Sequence, residues 1–312
     1  SLSFDKSLKL NYVNITGGYK HPVDESLFRL TLENGRKVTV SASHSVFVVE
    51  DGTVKAKPTK YLKVGDYAVV PLRVPHLQEI NCIRVAKAFQ QHTLGSSLWL
   101  KSNRRTTHGR SRHTVRLKDA SLDEVESSPS IYNFSARLPS TIPLTKELAR
   151  VLGYYIAEGN WSSGGGGVIS FGHHEGTLAE DAANCIRKVF GINASVYPNL
   201  KRSKISVLFG QKYLRALMVD IWRCGHTATT KNIPDFIFHA PLWFKIEFIR
   251  AYALGDGHLE KRSTSTQFSL MITTVSKIML QKLPYLLLSC GLLPSVEYRP
   301  TVLRCFPKGY FS

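Results

Sequence analysis

The segment LGYYIAEGNW, residues 152 to 161, returns 98 positions later as RAYALGDGHL, residues 250 to 259. Tyr154 falls on Tyr252, Ala157 on Gly255, Glu158 on Asp256 and Gly159 on Gly257. The flanks repeat as well. VISFG followed by CIRKVFGINASVYP corresponds to QFSLMITT followed by LLLSCGLLPSVEYRP, and at an offset of 100 Gly191 meets Gly291. Ser195-Val196 meets Ser295-Val296 at the same offset. A helix, a strand, a helix and a strand recur in one order, which predicts a duplicated α/β unit.

Taken alone, VLGYYIAEGNW reads as an apolar helix that stops on Glu158 and Gly159. A carboxylate there faces the negative pole of the helix dipole. The plain interpretation is a helix end meeting water, with Gly159 as its C-cap. The duplicate alters that balance. Small residues lie four apart on each helix, Gly153 with Ala157 and Ala251 with Gly255. That spacing forms one helix face along which two backbones can approach closely. Parallel packing on this face would bring the C-terminal ends together, and Glu158 beside Asp256. Two carboxylates so placed repel each other, and either a shared proton or a divalent cation relieves them. Oxygen ligands completed by water suit Mg²⁺.

Charge points to the partner. Lys and Arg total 41 against 23 acids in 312 residues, a formal net charge of +18. A chain this basic is suited to a polyanion, because displaced counterions favour binding. DNA and RNA fit the number equally well. No apolar run reaches transmembrane length, and the N-terminus SLSFDKSLKL has no signal-peptide core. The five cysteines are scattered, with no CxxC pair. They read as reduced thiols, and the expected location is intracellular and cytoplasmic.

Four segments follow from local pattern. Residues 1–75 alternate apolar and polar positions around tight turns (ENG, EDGTV, LKVGDYAVVP) and predict a small all-β unit. Residues 76–140 contain KSNRRTTHGRSRHTVRLK, with seven basic side chains. The segment is an insertion, a flexible linker or an exposed arm; on a DNA-binding protein, Arg104, Arg105, Arg110, Arg112 and Arg116 would contact phosphates. Residues 141–239 form the first α/β repeat, with Thr145 as the N-cap of its first helix. Its strands flank a basic turn, Lys201-Arg202-Ser203-Lys204. Residues 240–312 form a second, partial repeat. HHEG (173–176) lacks zinc-ligand spacing, and Pro284 marks a kink in a helical stretch.

VLGYYIAEG and IRAYALGDG resemble the two signature helices of the LAGLIDADG, or dodecapeptide, homing endonucleases, over roughly residues 145–312. The resemblance implies a pseudo-twofold fold of two αββαββα repeats whose sheets form a saddle on double-stranded DNA. It assigns Glu158 and Asp256 to metal binding and catalysis with Mg²⁺ or Mn²⁺, one scissile phosphate per acid. It places Lys201, Arg202 and Lys204 against DNA. KNIPDF resembles a lysine-bearing segment of intein endonucleases, which assigns Lys231 to the catalytic centre; a plain surface lysine is the alternative. Glu158 stands where the family more often has Asp, and its longer arm can still bind metal.

GRKVTVSASHSVFVV resembles the TxxH block of the Hint protein-splicing domain, with His44 at the histidine position and Ser41 in place of threonine. KPTKYLKVGDYAVVP resembles the Hint segment that follows. The combined expectation is an α+β intein: a Hint portion joined to a LAGLIDADG endonuclease, acting in cis on a flanking extein host protein. The expected DNA target is the host gene lacking the insertion, and a monomer without membrane attachment is expected. The blocks found imply a chain cut short at both ends, with the second repeat incomplete and splicing not expected of this fragment. Two alternatives are an intein with a decayed nuclease and a non-catalytic DNA-binding relative of the fold.

Overall fold

The computed structural model describes all residues except 6, 76–78, 107–108, 163–164, 262–267, 300–309 and 312. The side chains of 102–106, 109–113, 200, 299, 310 and 311 also lie outside the description. The chain divides into two compact units, one of residues 1–76 with 283–312, the other of residues 77–282.

The first unit is β-rich. Strand β1 (Leu2–Phe4) pairs with β2 (Leu10–Tyr12), and β3 (Leu27–Thr31) with β4 (Lys37–Ser41). β5 (Ser45–Glu50), β6 (Thr53–Pro58) and β7 (Tyr67–Ala68) form a sheet ordered β6-β5-β7. The predicted EDG turn joins β5 to β6, with Asp51 and Gly52 both at positive φ (50° and 70°). That pair of angles matches the right-handed twist of a tight hairpin.

The second unit begins with β8 (Cys82–Arg84) and helix α1 (Val85–Gln90). The basic stretch then forms two strands, β9 (Trp99–Thr106) and β10 (Gly109–Arg116), whose backbones pair antiparallel from Trp99↔Arg116 to Thr106↔Gly109. Helix α2 (Leu122–Ser127) starts on a capping box between Ser121 and Glu124. β11 (Ser130–Asn133) and β12 (Ala136–Pro139) complete a four-stranded sheet ordered β10-β9-β11-β12. The flexible-linker alternative for this stretch therefore gives way to a hairpin. β13 (Thr141–Pro143) pairs back onto β8.

Helix α3 (Lys146–Glu158) starts where Thr145 Oγ1 accepts from the Leu148 N–H at 3.2 Å. β14 (Gly159–Trp161), β15 (Gly167–Gly172), helix α4 (Gly176–Phe190), β16 (Ala194–Asn199) and β17 (Lys204–Phe209) follow. They make an antiparallel sheet ordered β14-β15-β17-β16. Gly167, Ile169 and Phe171 turn inward toward α3 and α4, where Leu148, Leu152, Ile156, Ala182 and Ile186 are fully buried. Gly191 ends α4 with φ 65°, the left-handed cap conformation that glycine favours. The helix at Lys212–Arg215 continues as a π-helical turn, Ala216–Ile221.

Helix α5 (Leu242–Asp256) opens the second copy, followed by the pair β18 (Gly257–Lys261) and β19 (Phe268–Ile272), and by helix α6 (Lys277–Ser289) with Pro284 inside it. The order helix, strand, strand, helix thus recurs.

Candidate active site

Helices α3 and α5 pack along their small-residue faces. A Cβ on Gly153 would lie 2.6 Å from the Ala251 Cβ, and one on Gly255 would lie 2.6 Å from the Ala157 Cβ. Both contacts keep the offset of 98, so the helices run parallel and level. Their last residues are Glu158 and Asp256. The same hypothetical Cβ on Gly255 would stand 3.4 Å from Glu158 Cγ. The two acids are therefore neighbours at adjacent helix ends, each half-buried.

Gly159 caps α3, as expected, and Gly257 takes the same place on α5. Gly159 and Gly257 are extended (φ −84° and −100°), not left-handed. A Cβ on either would come within 2.5 Å of the carbonyl oxygen four residues back, Tyr155 or Ala253. Glycine lets the chain leave each helix directly into a strand.

Both carboxyls ionise reluctantly. Burial and the charge of Glu158 push Asp256 up to about 7, opposed by Lys231 and by a hydrogen bond with Tyr252. Burial, then the charge of Glu175, raises Glu158, again opposed by Lys231. Glu175 belongs to the HHEG stretch that zinc spacing sets aside; its carboxylate accepts from the Gly172 N–H at 2.6 Å at the end of β15. No sequence signal places it near Glu158, because their proximity depends on how α4 packs on α3.

Lys231 is only 5% exposed. Its ammonium donates to the carbonyls of Tyr155 and Gly159 and lies 4.0 Å from the centroid of the Tyr155 ring. A cation there satisfies carbonyls at the helix end and offsets its dipole. Burial lowers the ammonium to about 8, against the pull of Cys224, Asp256 and Glu158. The surface-lysine alternative is thereby set aside. Lys231, Glu158 and Asp256 share one locality.

A second ionic cluster fixes the helices nearer the middle. Arg150 donates to Glu247 at 2.5 Å and to Asp181 at 3.1 Å, joining α3 to α5 and α4, and the Tyr154 hydroxyl donates to Asp181 at 2.9 Å. Sequence periodicity contained no cue to this three-helix tie.

Among the described residues, no group of three or more His, Cys, Asp or Glu side chains could hold a metal alone. Two neighbouring carboxylates with raised pKa values fit instead a hard cation whose remaining ligands come from water and a bound phosphate.

The other predicted residues are dispersed. Lys201 and Arg202 are exposed at the turn between β16 and β17, and Lys204 is half-buried at the start of β17. The guanidinium of Arg116 lies 5.2 Å from the centroid of the Trp99 ring. Arg104, Arg105, Arg110 and Arg112 lie on the β9–β10 hairpin, and their side chains fall outside the described residues. Ser41 and His44 belong to the first unit, where the Ser41 carbonyl accepts from the His44 N–H at 3.2 Å. Glu25 braces this turn by accepting from Ser43 N–H at 2.9 Å and Ser43 Oγ at 2.5 Å. Thr59, fully buried, donates through Oγ1 to the His44 carbonyl at 2.7 Å.

Residues 243–302 match the LAGLIDADG-like domain model. That interval contains most of α5 with Asp256, the β18–β19 pair and α6. The chain is 27% identical to an uncharacterised protein of Methanocaldococcus jannaschii over 95% of its length, covering 36% of that protein. It is 28% identical to the DNA polymerase II large subunit of Thermococcus kodakarensis over 92% of its length, covering 17% of that protein. The chain thus spans a minor part of each relative. Among solved structures, the crystal structure of I-DmoI in complex with DNA and Mn aligns over 54% of this chain and 88% of that one. Its identity is 15% and its TM-score 0.36; a likeness at that level fixes neither fold nor function.

No helix among the described residues is long and apolar enough to cross a membrane.

Proposed function

We propose that the chain is a site-specific double-strand DNA endonuclease embedded in an intein, hydrolysing phosphodiester bonds with Mg²⁺ or Mn²⁺. The observation that carries this reading is the acid pair, Glu158 and Asp256, at the level ends of two parallel helices packed glycine against alanine. A structural role gives no reason to place two acids at two negative helix ends, where they repel each other and oppose both dipoles. A metal–phosphate centre does.

Glu158 and Asp256 would hold the cation, one toward each strand's scissile phosphate. Bound there, the cation would polarise the phosphate and acidify its water. Lys231 keeps the end of α3 rigid and adds positive charge beside the acids, which favours their ionised forms. The exposed Lys201 and Arg202 supply phosphate contacts at the sheet's turn, and the basic hairpin extends that surface.

The intein context rests on the sequence blocks and on the relatives. A block matching nearly the whole chain occupies 17% of a polymerase subunit, as an insertion would. In this reading residues 1–75 are the Hint portion and 76–140 a DNA-contacting insertion. Residues 141–239 and 240–312 form the two repeats. His44 would act on the amide at the upstream splice junction, supported by Ser41, within a flanking host protein.

The test is cleavage of a plasmid carrying the host coding sequence left when the whole insertion is excised from its gene. Mg²⁺-dependent linearisation, lost in Glu158→Gln and Asp256→Asn, is expected. Cleavage that survives both substitutions, or none by the wild-type chain with either metal, overturns the nuclease.

A further inference from the structure

The short segment between β19 and α6 touches the supports of both acids. Ser276 is fully buried; its Oγ donates to the Lys231 carbonyl at 2.6 Å and accepts from the Met279 N–H at 3.3 Å. Lys231 in turn holds the Tyr155 carbonyl in the last turn of α3 and the Gly159 carbonyl just past its end, one on each side of Glu158. Two residues before Ser276, Thr274 accepts from the Ser276 N–H at 3.1 Å, and its side chain and that of Asp256 both lie close enough to the Tyr252 hydroxyl to influence it. Tyr252 is almost completely buried, so its hydroxyl has few other partners to choose from.

We propose that Thr274-Val275-Ser276 is a shared support that positions both acids, Ser276 acting through Lys231 on the Glu158 end of α3 and Thr274 acting through Tyr252 on Asp256. These are positioning residues, none of them in contact with substrate. Their importance for cleavage rests on the nuclease reading above, whereas the mechanical link from Ser276 to the end of α3 does not. The physical basis is the rigidity of the chain of bonds. Ser276 has both its donor and its acceptor engaged. Lys231 is held at its carbonyl by Ser276 while its ammonium grips α3. Asn232 fixes the same loop through its N–H to the Cys224 carbonyl at 3.1 Å and its Nδ2 to the Arg223 carbonyl at 2.8 Å. Lys282 adds a bond to the Ile233 carbonyl at 3.1 Å.

Backbone amide exchange on the full chain separates this from an ordinary helix cap. A capping serine alone predicts that Ser276→Ala speeds exchange only in the first turn of α6, at Met279 and Leu280. The shared support predicts exchange about fivefold faster at Gly159 and Asn160 as well, the loss expected for one buried hydrogen bond. Thr274→Val is expected to speed exchange at Gly257 and His258. Ser276→Thr and Thr274→Ser, which keep the hydroxyls, should restore wild-type rates. In plasmid cleavage, Ser276→Ala should lower kcat with KM unchanged. Should Ser276→Ala fail to fold, Ser276→Cys, which keeps size but weakens the donor, carries the same expectation. Exchange changes confined to α6 overturn the proposal. Loss of the α3 effect and loss of wild-type nuclease activity are separate results, since the first requires no metal and no DNA.

Discussion

The Lys231 ammonium donates to the Tyr155 carbonyl and lies over the Tyr155 ring, 4.0 Å from its centroid. The lysine thus serves the helix that carries Glu158 rather than reaching outward as a free charge. Removing it takes a donor from the Tyr155 and Gly159 carbonyls and a cation from one aromatic face. Lys231→Met should cost about 1–3 kcal/mol, the penalty for a buried group losing its partner. Chemical denaturation reads this directly. A change within experimental error would mean that the carbonyls find water when the ammonium leaves.

Glu158→Gln and Asp256→Asn preserve shape and remove charge. Each should lower cleavage by about a hundredfold or more, the scale on which a charge-stabilising group at a reacting centre acts. If each acid serves one strand, single substitutions leave nicked circles while the wild type gives linear plasmid. Agarose gels distinguish the two products.

The acid pair also sets a pH dependence without metal. Asp256 titrates near 7 in the folded chain and near 3.9 unfolded. Between those values the folded state holds the extra proton, so this carboxyl makes stability fall as pH rises from about 4 to about 7, and its own contribution is constant above that. Thermal melts in chelator should show this decline, and Asp256→Asn should flatten it. Added Mg²⁺ should raise Tm at neutral pH and have little effect at pH near 5, where proton and cation compete for the same carboxyls.

The helix seam is sensitive to a single methyl. Gly153→Ala would put Cβ 2.6 Å from the Ala251 Cβ and 2.7 Å from the Phe248 carbonyl. Backbone cannot yield as a side-chain tip can, so a cost of about 1–3 kcal/mol is expected. Gly165 has nothing within 4 Å of such a Cβ but sits at φ 82°, so Gly165→Ala reports backbone strain alone. Urea midpoints for the two variants separate crowding from conformation.

Most of the candidate site is legible in the sequence. Glu158, Asp256 and the Gly–Ala faces announce themselves because an internal repeat compares the chain with itself. Thr145 and Gly191 follow local capping rules and sit where those rules put them. What escaped depends on chain segments far apart in sequence. Lys231 was noticed, but its grip on α3 was not, since that contact spans 76 residues. Ser276, Glu175 and the Arg150 tie have no periodic or spacing signature. Gly159 reads correctly as the cap of α3, but it is crowding by the Tyr155 carbonyl, and not a left-handed turn, that demands glycine there.

Lys201→Ala and Arg202→Ala test the basic turn. If each contacts a phosphate, DNA binding weakens to a similar degree for all sequences. The slope of log affinity against log salt should then fall by about 1 per contact removed. Fluorescence anisotropy across a salt series measures it, and an unchanged slope would place the turn away from DNA.

The seam between α3 and α5 alternates: Gly153 opposes Ala251, and Ala157 opposes Gly255. Each half carries a notch where the other carries a bump, and the order is reversed between them. Two copies of α3 set against each other at the same level would oppose alanine to alanine at one point and leave an empty slot at the next. Mating therefore favours unlike halves over like ones. The duplication kept its symmetry in the acids and broke it in the methyl groups. The broken part is what tells a half which partner is its own.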